Sequence, residues 1–263
     1  MLFFLKLGGS LITDKNHAHT ARFEVLHRLA DEIEVARKKK PGLSLLLAHG
    51  SGSFGHVPAK KHGTRDGVFN IDQWAGFVEV WREAHRLNQI VLEVFSSHNL
   101  PVLSFPPSSM VMAKGKAIYK WEMGPVKSAL DTGLMPILFG DVVFDLEIGA
   151  TIFSTEELFI PLAKFLLPEK ILIAGIESGV WQDFPACKEL FKVIDQKTDI
   201  QALNRIGPSR SIDVTGGMLE KVNLMRKLTS LSKNLVVNIF SGLVPGNVLD
   251  SLCGEDLGTK IRY

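Results

Sequence analysis

Four short segments carry the residue types needed to handle a phosphate. The first is Lys6-Leu7-Gly8-Gly9-Ser10, set directly after an apolar run. Glycines at a strand end let backbone N–H groups approach an anion closely, and Lys6 would place an ammonium against phosphate oxygens. A plain tight turn accounts for this string equally well. The second, Ala48-His49-Gly50-Ser51-Gly52-Ser53-Phe54-Gly55-His56, interleaves three glycines with small hydroxyl residues. It reads as an anion-binding loop before a helix or turn. His56 would donate to a phosphate, although a single loop histidine is more often incidental. The spacing is not G-x-G-x-x-G, no ribose-binding acid stands out after it, and a Walker A motif is absent. The third is Gly140-Asp141, whose carboxylate would orient a lysine or a magnesium hydration shell; taken alone, a turn aspartate satisfying backbone N–H groups is the better reading. The fourth is Asp213-Val214-Thr215-Gly216-Gly217-Met218, with Lys221 one turn later. Its glycines open a helix whose N-terminus can meet a phosphate. The alternative is an ordinary helix capped by Thr215 with a surface lysine.

Strands must hold these segments, because short apolar runs lead into the first three. Such runs span Phe3–Leu7, Leu43–Ala48, Pro101–Phe105, Met135–Phe139, Lys170–Ala174 and Leu235–Phe240, each bounded by Gly or polar residues. Runs of this kind suit parallel strands covered on both faces. Helical spacing of apolar residues appears over 23–39 (Leu26, Leu29, Ile33, Ala36), over 72–98 (Trp74, Phe77, Val78, Trp81, Leu87, Val91, Val94, Phe95) and over 216–231 (Met218, Val222, Met225, Leu228). Alternating strands and helices predict an α/β fold on a mainly parallel sheet. Residues 113–118, with paired Lys and Gly, predict a small hairpin. No repeat or Pro/Gly-rich linker divides the chain, and a loose boundary is placed near residue 165.

The 263 residues are 46% hydrophobic and 22% charged, which fits a globular domain with a sizeable core and not a disordered chain. Lys and Arg total 30 against 28 Asp and Glu, a balance of +2 that gives no reason to expect nucleic acid. The run Arg37-Lys38-Lys39-Lys40 reads as a solvated helix C-terminus. Cys187 and Cys253 are the two cysteines and form no metal spacing, so a reducing, cytoplasmic setting is expected. Lys6 interrupts the apolar start too early for a signal peptide. No run approaches the roughly 18 apolar residues of a transmembrane helix.

Taken together and in order, the four segments resemble the amino acid kinase superfamily over nearly the whole chain. Lys15 in Gly8-Gly9-Ser10-Leu11-Ile12-Thr13-Asp14-Lys15 is similar to the isopentenyl phosphate kinase family. So are Ser53-Phe54-Gly55-His56 followed by Ala59-Lys60-Lys61, Pro107-Ser108-Ser109, and Ser211 to Met218. Fosfomycin kinases share part of this set. The resemblance implies a single domain over 1–263 with a three-layer αβα sandwich. Residues 1–165 would form an acceptor-binding lobe and 166–263 a nucleotide-binding lobe. It implies transfer of the γ-phosphoryl group of ATP to isopentenyl phosphate. Magnesium would bridge nucleotide oxygens with few direct protein ligands. Lys6 and Lys221 would neutralise charge on the ATP phosphates, and Lys15 would lie over the transferring group. Gly8, Gly9, Ser10 and Gly52 would offer N–H groups to ATP, with Gly175, Gly179, Gly216 and Gly217 also on the nucleotide side. His56 would bind the acceptor phosphate, with Ser51, Gly55, Thr155 and Asp141 beside it. An isoprenoid tail needs an apolar pocket, and Phe77 and Trp81, one turn apart, are candidates to line it; ordinary core packing or a subunit interface are the other uses of that face. A homodimer is the expected assembly, with no nucleic acid and no membrane.

Two segments depart from the family pattern. Ser154-Thr155-Glu156-Glu157 stands where the family has Ser-Gly-Asp-Asp, so Glu156 would organise the lysines from a longer side chain. Gly175-Ile176-Glu177-Ser178-Gly179-Val180 stands for Thr-Asp-Val-Asp-Gly-Val, with no acid at Ile176. These changes leave open a kinase for another small phosphate or phosphonate such as fosfomycin, or a weakly catalytic nucleotide-binding regulator.

Overall fold

The computed structural model describes residues 1–14, 16–198, 203, 217–232 and 234–263. Along the chain run β1 (Leu2–Leu7), α1 (Gly9–Ile12), α2 (Phe23–Lys39), β2 (Ser44–His49), α3 (Gly52–His62), α4 (Ile71–Ser97), β3 (Val102–Ser104) and α5 (Pro107–Met110). Then come β4 (Val111–Lys114), β5 (Ala117–Trp121), α6 (Gly124–Asp131), β6 (Met135–Phe139), β7 (Asp141–Asp145), β8 (Gly149–Phe153) and α7 (Thr155–Leu166). The described remainder holds β9 (Lys170–Gly175), β10 (Val193–Ile194), α8 (Gly217–Leu231), β11 (Val236–Ser241), α9 (Asn247–Cys253) and β12 (Thr259–Ile261). All six apolar runs are strands of one eight-stranded sheet, ordered β10-β12-β11-β9-β1-β2-β6-β3. Its pairs are parallel except β11–β12. The sheet runs unbroken across residue 165, since β1 pairs with both β2 and β9.

Alternation along β1 builds the three layers. Phe3, Leu5 and Leu7 pack toward Leu26 and Ile33 of α2, Leu87 and Val91 of α4 and Val248 of α9. Phe4 points the other way, toward Val126 of α6, Phe159 of α7 and Met225 of α8. Each such side chain taken fully from water contributes about 1.5–3 kcal/mol. Period two puts Lys6 on the Phe4 face, so its side chain rises toward α7 and α8. A polar residue is tolerated there because β1 ends one residue later.

A second sheet, ordered β5-β4-β7-β8, stands beside the first. The expected hairpin over 113–118 is its β4–β5 turn, made by Gly115 and Lys116 at φ 57° and 64°. Two central residues at positive φ match the twist of the flanking strands. The β7–β8 hairpin was not expected from the sequence. On α4, Asn70 caps the N-terminus by accepting from the Gln73 N–H at 3.0 Å. Of the apolar residues expected to line that helix's inner face, Val78 and Trp81 instead face outward.

Candidate active site

Strand order reverses between β1 and β9: the chain leaves β1 toward β2 and leaves β9 toward β11. Loops diverging from two adjacent parallel strands open a crevice at their C-terminal ends, where α/β sheets bind ligands. Here the crevice floor is glycine. The Gly8 N–H donates to Ala174 O at 2.8 Å, tying the two strand ends together. A Cβ on Gly9 would lie 2.5 Å from Gly52 N, and one on Gly50 would lie 2.9 Å from Gly9 N. Side chains are therefore excluded and the loops after β1 and β2 touch backbone to backbone. Gly52 adopts φ 50° and has no space for a Cβ against Thr13 Oγ1. Thr13, fully buried, stitches the two loops: its hydroxyl donates to Gly9 O at 2.7 Å and accepts from the Ser53 N–H at 3.0 Å. Its importance was not legible, since its partner lies 40 residues away.

Above this floor stand two lysines and one carboxylate. Lys6 Nζ makes a short, buried ion pair with Glu156 Oε1, and Lys221 Nζ approaches the same oxygen at 3.6 Å. Glu156 is the second residue of α7, and Lys221 lies one turn into α8, beyond Gly217 at φ 74°. Burial pushes the Glu156 carboxyl up. The charges of Lys6 and Lys221, with the Lys6 hydrogen bond, outweigh burial and hold it well below the usual carboxylate range. Two ammonium groups this close would repel; one shared anion keeps both at the crevice. The Thr155 hydroxyl, itself buried, donates to Glu156 Oε2 at 3.0 Å. Two changes within the first departing segment, Thr155 and Glu156, are thus in contact: the added methylene of Glu156 is accompanied by a hydroxyl that fixes its second oxygen. Ser154 and Glu157 close a capping box beneath them, which holds the first turn of α7.

The other expected site residues fall in several places. Ser10 sits in α1. Ser51 folds over Gly55, where a Cβ would meet the Ser51 side chain at 2.5 Å. His56 stands half-buried on the same helix, one turn past Gly52. Asp141 is buried, and its carboxylate accepts from the Val142 and Ser108 N–H groups at 2.9 and 3.1 Å, with His85 Nε2 at 3.3 Å. It fixes the start of α5 against β7. Gly175 leaves room for a Cβ, whereas one on Gly179 would lie 2.7 Å from Thr259 Oγ1 of β12. Glu177 accepts from the Trp181 indole at 2.8 Å. Phe77 and Trp81 part company. Phe77 joins an apolar cluster with Ala59, Val80, Val142 and Ala150, its ring 5.3 Å from Trp74 and 5.2 Å from Phe144. Trp81 stacks on His85 at 4.4 Å and lines an open cleft of about 560 Å³ with Arg82 and Arg86. Lys15 and Gly216, with Asp213 and Thr215, lie outside the described residues.

A three-layer α/β sandwich with facing glycine loops and a shared lysine–carboxylate centre defines a phosphotransferase class. The sequence profile described as the amino acid kinase family matches residues 1–238. The isopentenyl phosphate kinase of Methanocaldococcus jannaschii is 35% identical over 270 residues, covering 100% of this chain and 99% of that protein. The isopentenyl phosphate kinase of Methanothermobacter thermautotrophicus is 29% identical, covering 99% and 98%. An X-ray structure of an isopentenyl phosphate kinase superposes with a TM-score of 0.84 at 26% identity, covering 99% of this chain and 100% of that one. The chain belongs to the amino acid kinase family and, within it, to the isopentenyl phosphate kinases.

Proposed function

We propose that this protein transfers the γ-phosphoryl group of ATP to isopentenyl phosphate, giving isopentenyl diphosphate and ADP. The observation that carries this reading is the Lys6–Glu156–Lys221 centre, built on the strand that leads into the Gly9–Gly52 backbone contact. An acceptor that is a phosphate monoester is already ionised, so no strong general base is needed; the task is to bring two anions together. Lys6 and Lys221 supply positive charge to the nucleotide phosphates and to the transferring group. The glycine loops offer N–H groups where any side chain would collide. Lys15 joins them by its place in the sequence. His56 serves the acceptor phosphate, and Phe77, with the cluster under the β7–β8 hairpin, receives the apolar tail. Magnesium bound with ATP would add positive charge at the nucleotide phosphates beside Lys6 and Lys221, with few direct protein ligands. No helix among the described residues is long and apolar enough to cross a membrane. A cytoplasmic homodimer completes the reading.

The test is to incubate the purified protein with magnesium, ATP and isopentenyl phosphate, with fosfomycin in a parallel reaction. ADP and phosphorylated product are followed together. Isopentenyl diphosphate formed in step with ADP is the expected outcome. Selective phosphorylation of fosfomycin, or no turnover on either acceptor, would overturn it.

A further inference from the structure

We propose that Glu83 of α4 is a positioning residue that acts through His19 to hold the excursion over residues 16–20, which follows Lys15 in sequence, against the glycine loop. This inference rests on the phosphotransferase reading above. Glu83 is 7% exposed, an unusual state for a carboxylate on a long surface helix. Its Oε2 lies 2.8 Å from His19 Nδ1 and makes no aligned hydrogen bond. Arg82 Nε stands 3.4 Å from Oε1 and Arg86 Nη1 stands 3.8 Å from Oε2. Both arginine side chains are more than half exposed, 66% and 61%, so water screens them and the imidazole is the close, partly enclosed partner.

The partner sits where a latch would have to be. The chain leaves the crevice at Thr13 and returns at Ala21, where the two form an isolated bridge. Between them residues 16–20 are exposed and bury no apolar side chain that could hold them. Asp14 shapes the outgoing arm, accepting from the Asn16 N–H at 2.8 Å with His17 Nδ1 at 3.0 Å. On the return arm His19 adopts φ 53°, a region sparsely populated by residues other than glycine. Such a conformation persists where its surroundings demand it. Here they do: the His19 ring meets Glu83 and stands edge-on to Phe54 at 5.7 Å, and the His19 backbone N–H donates to Ser53 O at 3.5 Å. Phe54 is fully buried in the first turn of α3, and Arg86 lies over its ring at 5.9 Å. One residue, through its ring and its backbone N–H, therefore ties α4, the glycine loop and the excursion over residues 16–20.

The experiment is a double-mutant cycle on the full chain with Glu83→Gln, His19→Ala and the pair combined, read in two ways. Hydrogen exchange of the 14–20 peptide should quicken at least fivefold in each single variant, with α4 unchanged. Turnover should fall on the order of tenfold in each, with KM for isopentenyl phosphate within twofold, and the double variant should be no slower than the worse single. His19→Gln, which keeps a donor, should recover part of the loss. Unchanged exchange at 14–20, additive losses in turnover, or faster exchange spread along α4 would each overturn the latch. If the wild-type protein phosphorylates no isopentenyl phosphate, the functional reading fails while the exchange cycle still decides the latch.

Discussion

Glu156 holds two ammonium groups with one oxygen and a neighbouring hydroxyl with the other. The arrangement makes Thr155 part of the carboxylate's geometry. Thr155→Val keeps the shape and removes the donor to Oε2. Released from that bond, the longer glutamate side chain regains rotamer freedom and Oε1 drifts from Lys6 and Lys221. We expect turnover to fall by roughly tenfold, since an ångström of misplacement costs that much or more. Thr155→Ser should retain most activity, because it keeps the hydroxyl. Equal rates for the Val and Ser variants would remove Thr155 from the centre. The pH behaviour of Glu156 follows from its depressed carboxyl. A group lowered on folding contributes stability above its unfolded value, lost only as pH falls through the folded one. Glu156 therefore adds no limb to a rate profile measured near neutrality. At this scale Lys6 was legible from its strand position and Lys221 from its spacing after Gly217. The bond from Thr155 to Glu156 was not, because Thr155 was expected beside the acceptor phosphate and residue types in sequence do not show which way a hydroxyl turns.

The elements that hold the site were legible where a long apolar period announced them. β6 forms over the span its apolar run marks, and α2 runs from Phe23 to Lys39 with Leu26, Leu29, Ile33 and Ala36 all buried. The β7–β8 half of the second sheet was missed because β7 follows β6 across Gly140 alone, with no turn signal to separate them. What specifies it is a polar residue. The Asp145 carboxylate accepts from the N–H groups of Gly115, Lys116, Glu147 and Ile148, at 3.0, 2.7, 2.9 and 3.2 Å. It joins the β4–β5 turn to the β7–β8 turn, and its bonds to Gly115 and Lys116, 30 and 29 residues away, are invisible to any local pattern. Burial raises this carboxyl and those four donors outweigh it, so its pKa is lowered. Asp145→Ala should cost about 2–3 kcal/mol in urea unfolding, because the turn N–H groups lose a charged acceptor. Exchange should quicken in both turns together. A loss confined to one turn would show that the two hairpins are held by other contacts.

The molecule as a whole is organised around an imidazole that never faces the crevice. His49 ends β2, is 1% exposed, and stacks on Phe139 of β6 at 5.4 Å. Its Nε2 lies 3.2 Å from Asn88 Oδ1 of α4, whose amide in turn donates to Ser104 Oγ of β3 at 2.8 Å. Its Nδ1 lies 3.1 Å from Gly50 O at the start of the glycine loop, and the neutral ring, with one N–H, donates to one of these two oxygens at a time. Sheet, helix and phosphate loop thus meet at one titratable group. Burial is the largest influence on it and brings its pKa from 6.5 to about 4. The folded protein therefore keeps His49 neutral in a range where the unfolded chain binds a proton. The sign follows: the neutral ring's contribution is complete above pH 6.5 and is lost as pH falls toward 4. At about 1.4 kcal/mol per pKa unit, the full window is worth about 3 kcal/mol, of which about 2 is spent by pH 5. Urea unfolding of the wild type and of His49→Gln, each at pH 7.5 and pH 5, isolates this term from the other titrating groups. The wild type should lose about 2 kcal/mol more between the two pH values than the variant does. Parallel losses in the two proteins would mean that the ring takes up its proton without strain in the fold, and that acid sensitivity resides elsewhere.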